Sequence, residues 1–191
     1  MSADVNRREA FRLDDTMMLS VTKLAEPELN DIEENFDSYR LKYCLNSHFA
    51  LQRENRKPNL LMIRKRDPDV GHYLDSMEEQ LLLIASRLSE STLAGQGMTK
   101  HEVNLSNSSV RYSTAESFEV GEQVQLQMIL STSDLQVFSL ATVSRIEQNS
   151  EVPNEQWVAM QLTRLHEDDA EAVIRHMAKL QQLQLQARRD S

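Results

Sequence analysis

Asn104-Leu105-Ser106-Asn107-Ser108-Ser109 is a polar turn between two short alternating segments, residues 98–105 and 109–114. The period of two continues downstream. Val124, Leu126, Met128 and Leu130 alternate with polar residues after Gly121, Ser131 to Asp134 interrupts the pattern, and Val137 to Ile146 and Trp157 to Leu165 resume it. Successive side chains of a strand point to opposite faces, so this alternation predicts strands with one face in a core. Several such segments at regular spacing predict an antiparallel barrel or sandwich. Upstream, residues 13–24 open with two acids and continue as a short apolar, β-branched stretch that reads as a further strand.

From Pro27 the period lengthens. Proline suits a helix start, and neither Gly nor Pro follows until Pro58. Leu29, Ile32, Phe36, Tyr39 and Tyr43 recur at spacings of three and four, the mark of one helical face, and Leu41, Leu45 and Phe49 form an overlapping stripe. Lys57-Pro58-Asn59 is expected to end this helix, leaving Leu60 to Ile63 as a link and Arg64-Lys65-Arg66 as a turn. Asp67-Pro68 then supplies an N-cap and a first helical residue for a second helix, running to about Leu93 before Gly95. Val70, Leu74, Met77, Leu81, Ile84 and Leu88 occupy alternating heptad positions along it, and Leu82, Leu83 and Ala85 widen the apolar surface. A last helix starts near Asp168-Asp169, whose acids suit a helix N-terminus, aligns Val173, Met177 and Leu180, and ends at Arg188-Arg189. The reading divides the chain into an arm and first strand (1–26), an inserted helical hairpin (27–95), and the remaining strands with a C-terminal helix (96–191).

Composition narrows the function classes. A hydrophobic fraction of 40% and a charged fraction of 27% belong to a globular chain. A net charge of -9 argues against sequence-independent nucleic-acid binding, which depends on clustered Lys and Arg. The single cysteine, Cys44, precludes an internal disulfide and fits a reducing compartment. The longest apolar run, Leu81 to Ala85, is too short to cross a bilayer, and the N-terminus has no apolar signal core; a cytoplasmic location is expected. No catalytic constellation is present. Cys44 and His48 stand at i and i+4 with no assignable third group, His101-Glu102 lacks the second histidine of a zinc-protease motif, and no Gly-rich phosphate loop occurs.

One local concentration of positive charge stands out against the acidic whole: Arg7, Arg8 and Arg12 just before the first strand. Guanidinium groups pair bidentately with phosphate or with a guanine edge, and stack on bases. The NLSNSS turn offers an amide (Asn104), a hydroxyl (Ser106) and backbone groups. The order RxxxR (Arg8, Arg12), strand, then Asn104-x-Ser106-x-x-Ser109 resembles the PilZ domain, a small β-barrel family whose typical members bind cyclic di-GMP. The resemblance implies an α+β fold, a small antiparallel PilZ-like barrel with a two-helix hairpin inserted after the first strand and a C-terminal helix. It implies a cyclic di-GMP site of Arg7, Arg8, Arg12, Asn104, Ser106 and Ser109, with no other cofactor and no metal. Ser109 stands where the family has glycine; a glycine there could adopt positive φ or leave room for ligand, so the serine is expected to weaken affinity.

The inserted helices resemble those of an atypical PilZ subgroup that assembles into tetramers and can carry degraded ligand motifs. An amphipathic helix apolar on more than one side has to be covered by its neighbour or by another copy. The stripe Val70, Leu74, Met77, Leu81, Ile84 and Leu88 is therefore expected to mediate a homo-oligomer, dimer or tetramer, with an intramolecular hairpin as the alternative. The resulting expectation is a receptor that passes second-messenger state to a downstream protein the sequence does not identify, without membrane insertion. The alternative is an interaction module that binds no nucleotide and works through its helices.

Overall fold

The computed structural model describes residues 11–93 and 97–189. Strands β1 (Leu13–Lys23), β2 (Thr99–Leu105), β3 (Ser109–Thr114), β4 (Gln123–Ile129), β5 (Gln136–Gln148) and β6 (Gln156–Leu165) close into an antiparallel barrel in the order β1-β2-β3-β6-β5-β4. Closure rests on β1, which pairs with β2 through Leu13–Leu19 and with β4 through Met18–Lys23. Register shifts between β5 and β6, at Leu140/Ala141 and Val143/Arg145, bend β5 as closure requires. The alternation fixes which side chains fill the barrel: Val124, Leu126 and Met128 of β4 meet Leu105, Val110, Val158 and Met160, all fully buried. Each such side chain contributes roughly 1.5–3 kcal/mol through burial.

Helix α4 (Glu167–Arg189) lays Ala172, Val173, Met177 and Leu180 against this core. Between β1 and β2 the chain inserts α1 (Glu26–Glu34), α2 (Phe36–Arg66) and α3 (Pro68–Leu93). The stripe read as one helical face is one face, but the helix breaks within it. At Asn35 the side-chain amide donates to the Asp31 carbonyl (3.1 Å) and carboxylate (2.9 Å), ending α1. Ile32 and Phe36, on either side of the break, still bury against Phe138 and Leu140 on the outer face of β5, flanked by Leu29, Tyr39 and Tyr43. The Phe36 and Phe138 rings lie 5.3 Å apart, and Tyr43 stacks on Phe138 at 5.4 Å.

The expected helix end at Lys57-Pro58-Asn59 is not found. Helix α2 continues through Pro58 to Arg66, so Leu60 to Ile63 and the basic triplet are helical. Pro58 forfeits one helical hydrogen bond and crowds the preceding turn, a cost of about 3 kcal/mol. Packing of α3 along the same half of α2 offsets it, with Arg53 near Glu78 (3.7 Å) and Arg64 paired with Asp75. The helices meet closely at Gly71, where an added Cβ would lie 2.9 Å from the Arg64 Cα. The departure from helical geometry inside α2 falls instead at Cys44 (φ −120°, ψ 26°).

Polar contacts fasten the insertion to the rest of the molecule, among them the Arg164 guanidinium of β6 donating to the Glu33 carbonyl of α1. Ser47 accepts the Gln136 backbone N–H at 2.5 Å. Arg40, on α2, forms a buried two-point pair with Asp169 in the first turn of α4, Nε–Oδ2 2.9 Å and Nη2–Oδ1 2.7 Å. Asp169 is thus held by a guanidinium as well as by its place at the helix start. Removing one member leaves a buried charge unpaired, a loss of about 3–5 kcal/mol. Asp169→Ala is expected to lower the urea midpoint accordingly, and Arg40→Leu combined with Asp169→Leu to recover a large part of that loss. Additive losses in the double variant would contradict the pairing.

Candidate functional site

The β1–β2 register sets Leu13 opposite Leu105 and Asp14 opposite Asn104. Arg12 therefore emerges beside Asn104, and its Nη1 donates to the Asn104 Oδ1 at 3.3 Å. The same amide donates through Nδ2 to Asp14 Oδ1 at 2.7 Å. This exposed chain of a guanidinium, an amide and a carboxylate joins the two sequence elements across 92 positions. Arg7 and Arg8 lie outside the described residues.

Ser106 and Ser109 are placed differently. Both are buried, their hydroxyls are 2.8 Å apart, and the Ser106 backbone N–H donates to the Ser109 carbonyl at 2.8 Å. The Ser108 N–H donates to Ser106 Oγ at 3.3 Å, while Gln161 Nε2 and the Leu162 N–H both donate to the Ser108 carbonyl, at 2.7 and 2.9 Å. The two serines tie the turn together from inside and position Asn104 at its edge. Ser109 is not among the positive-φ residues, so its backbone conformation does not call for glycine.

Residues that the sequence reading passed over complete the surface. Arg111 on β3 stands opposite Asn104. Its guanidinium lies 4.7 Å over the Trp157 ring and donates to Glu147 at 3.0 Å, and Glu147 also takes Arg145. The alternation in Ser109 to Thr114 was the available signal, since it turns Arg111 outward while Val110 and Tyr112 turn in. The edge thus carries a stacking aromatic and three arginines, Arg12, Arg111 and Arg145, tempered by Asp14 and Glu147.

Helix α4 braces the start of β1 from the other side. Gln184 donates to the Asp14 carbonyl at 3.2 Å. Beneath it, His176 Nε2 meets Asp15 Oδ2 at 3.0 Å, Thr132 Oγ1 meets His176 Nδ1 at 2.8 Å, and Ser131 Oγ donates to both Asp15 oxygens at 2.9 Å. Burial pushes the Asp15 carboxyl up, but the hydrogen bonds from His176, Ser131 and the backbone outweigh it and hold the group below the ordinary range.

The Cys44–His48 pair has no catalytic character. Burial pushes the Cys44 thiol far up, and burial together with the Arg40 charge pushes His48 down, with Arg40 Nη1 3.4 Å from its Nδ1. Both groups are neutral at pH 7 and neither activates the other. Among the described residues no group of three or more His, Cys, Asp or Glu could hold a metal ion.

On α3, the side turned to α2 is Gly71, Asp75, Glu78, Leu82 and Ala85, all of them buried or half-buried. The heptad stripe lies one step around the helix. Leu74 is half-buried, whereas Val70, Met77, Leu81, Ile84 and Leu88 are between 44% and 57% exposed, next to Tyr73 and Leu83. No described helix is long and apolar enough to cross a membrane.

No protein-family model matches this chain, and no curated protein matches it significantly. Solved structures do. A pathogenic protein from Xanthomonas campestris, described as a tetrameric PilZ domain self-assembled through an unusual helical bundle, superposes with a TM-score of 0.59 at 13% identity, covering 93% of this chain and 91% of that one. The chain has a PilZ-type fold. The Bacillus subtilis inhibitor of motility also matches, at 12% identity and a TM-score of 0.48, and this chain spans 52% of its length. The PilZ-type barrel here is the antiparallel one expected from the sequence, with the helices inserted after β1 and a helix at the C-terminal end.

The depressed Asp15 value gives a pH signature. A carboxyl whose native value lies below its unfolded value, about 4, contributes stability that is fully present above the unfolded value and is lost as pH falls through the native one. Thermal melts of the wild type and Asp15→Asn between about pH 2 and pH 7 are therefore expected to show a gap that closes in acid. A gap independent of pH would contradict the assignment.

Proposed function

We propose that this chain is a cytoplasmic cyclic di-GMP receptor of PilZ type, self-assembled through its inserted helices. The observation that carries the reading is the meeting of Arg12 with Asn104 at one exposed edge. A cyclic dinucleotide offers two phosphodiester charges and two planar, acceptor-rich bases. Arg12, with Arg7 and Arg8 from the preceding arm, supplies bidentate donors for those groups, and Asn104 supplies an amide that reads a base edge. Arg111 over Trp157 adds a cation and a stacking surface within the same sheet. Ligand would exchange the Arg12–Asn104 bond for contacts of its own, a change in exposed surface that a downstream protein can read.

The second part of the reading rests on the uncovered stripe. The hairpin satisfies one side of α3 and leaves Val70, Met77, Leu81, Ile84 and Leu88 in water, where a contiguous apolar row favours another copy. The Xanthomonas tetramer shows that a helical bundle can assemble this fold, and supports the same role here.

A non-binding scaffold is the second reading. It is favoured by the mutual hydrogen bond of Ser106 and Ser109, which leaves neither hydroxyl directed at a ligand. Isothermal titration with cyclic di-GMP separates the two. Saturable binding, weakened at least about tenfold in Arg12→Ala and again in Arg8→Ala, is expected; no heat at high ligand concentration would establish the scaffold. Light scattering tests the assembly independently: Leu81→Asp is expected to reduce the oligomer to protomers, and an unchanged mass would contradict a role for the stripe.

A further inference from the structure

We propose that the far end of the inserted hairpin docks on an anionic phospholipid surface through the back of α2. From Asn55 to Arg66 this helix has no acidic residue and carries Arg56, Lys57, Arg64, Lys65 and Arg66, in a chain whose net charge is -9. The side of these turns that faces α3 is marked by Arg53, near Glu78, and by Arg64, which pairs with Asp75 and packs on Gly71. At about 100° per residue, Met62 and Arg66 therefore point away from α3, with Arg56 and Ile63 flanking them on one side and Lys65 on the other. Met62 is 71% exposed, and Arg56, Ile63, Lys65 and Arg66 are exposed with it. Arg56, Lys65 and Arg66 have no ion-pair partner among the described residues.

Cations interleaved with uncovered apolar side chains suit a lipid surface, where the charges reach the phosphates and Met62 and Ile63 enter the acyl boundary. A second copy fits this face poorly, because a two-fold interface sets a patch against itself and would oppose like charges. A nucleic-acid backbone could take the cations but has no use for Met62 and Ile63. No aromatic side chain occurs between Asn55 and Arg66 to stack on a base.

The acidity of the rest of the molecule does not cancel the patch. Ser47 ties α2 to β5, and Arg66 lies about 28 Å further along the helix, at ~1.5 Å per residue. Charges are screened over about 8 Å at physiological ionic strength, so the barrel's acids are out of range. Between residues 56 and 70 there are five cations and only two acids, Asp67 and Asp69. Asp67 is engaged at the start of α3, where its Oδ1 accepts the Val70 N–H at 3.2 Å. The face is also distinct from the α3 stripe assigned to self-assembly, so the two roles are separable by mutation.

The test is co-sedimentation of the full chain with phosphatidylcholine vesicles containing about 40% phosphatidylglycerol, with pure phosphatidylcholine as control. Binding to the charged vesicles alone is expected, and its loss at about 1 M salt, where the screening length falls to about 3 Å. Each cation near an anionic leaflet is worth roughly fivefold in partitioning, so Lys65→Gln combined with Arg66→Gln is expected to weaken binding about 25-fold. Both side chains are exposed, so this variant keeps its fold and its mass in solution. Met62→Trp is expected to show a fluorescence blue shift on charged vesicles that the wild type, with Trp157 alone, lacks. No sedimentation with charged vesicles, equal binding to neutral ones, or indifference to the double variant would overturn the proposal. A reduced mass of the double variant in light scattering would also overturn it, and would assign the face to a second copy.

Discussion

Everything in this molecule depends on β1 being paired along both of its edges. One strand of 11 residues pairs first with β2 and then with β4, and so turns a sheet into a closed barrel without unpaired edges. Between β1 and β2 the chain makes a helical excursion from α1 to α3 and must return in register. The entropic cost of such a long excursion grows only as the logarithm of its length. The anchors that shorten it in effect are the Phe138 cluster and the Arg40–Asp169 pair, which dock α1 and α2 on β5 and α4. With that register fixed, Arg12 has no choice but to emerge beside Asn104. The candidate edge is a consequence of barrel closure.

The barrel was legible in the sequence because period-two alternation is a local signal. Val124, Leu126, Met128 and Leu130 are all fully buried, and the edges of β3 and β6 fall where the turns predict. The stripe from Leu29 to Tyr43 was legible for the same reason, even though it crosses the break at Asn35: a shared binding partner, Phe138, keeps the two helices in phase. Pro58 misled because a local helix-breaking preference was weighed without the packing of α3 that overrides it. Arg40 and Asp169 are 129 positions apart, and no pattern in the chain connects them.

The site was legible only in part. The placement of Asn104 followed from its turn, but the inward hydroxyl pairing of Ser106 and Ser109 depends on loop geometry that no spacing rule carries. Glycine and serine at position 109 thus differ here less through φ than through a hydroxyl that closes the turn. Arg111 and Trp157 sit on different strands, and only the β3–β6 register, which sets Ser113 opposite Trp157 and Arg111 opposite Ala159, brings them together. The heptad stripe on α3 presents the converse case: the hairpin forms, yet it uses the neighbouring face of the helix and leaves the stripe outward.

The central claim is that one exposed edge, where Arg12 meets Asn104, receives the cyclic dinucleotide. Backbone amide chemical-shift mapping during a titration with cyclic di-GMP addresses it most directly. The account predicts saturating shifts at Arg12, Leu13, Asn104 and Arg111, with the α2–α3 hairpin unaffected. Shifts confined to the hairpin, or none at all, would contradict it.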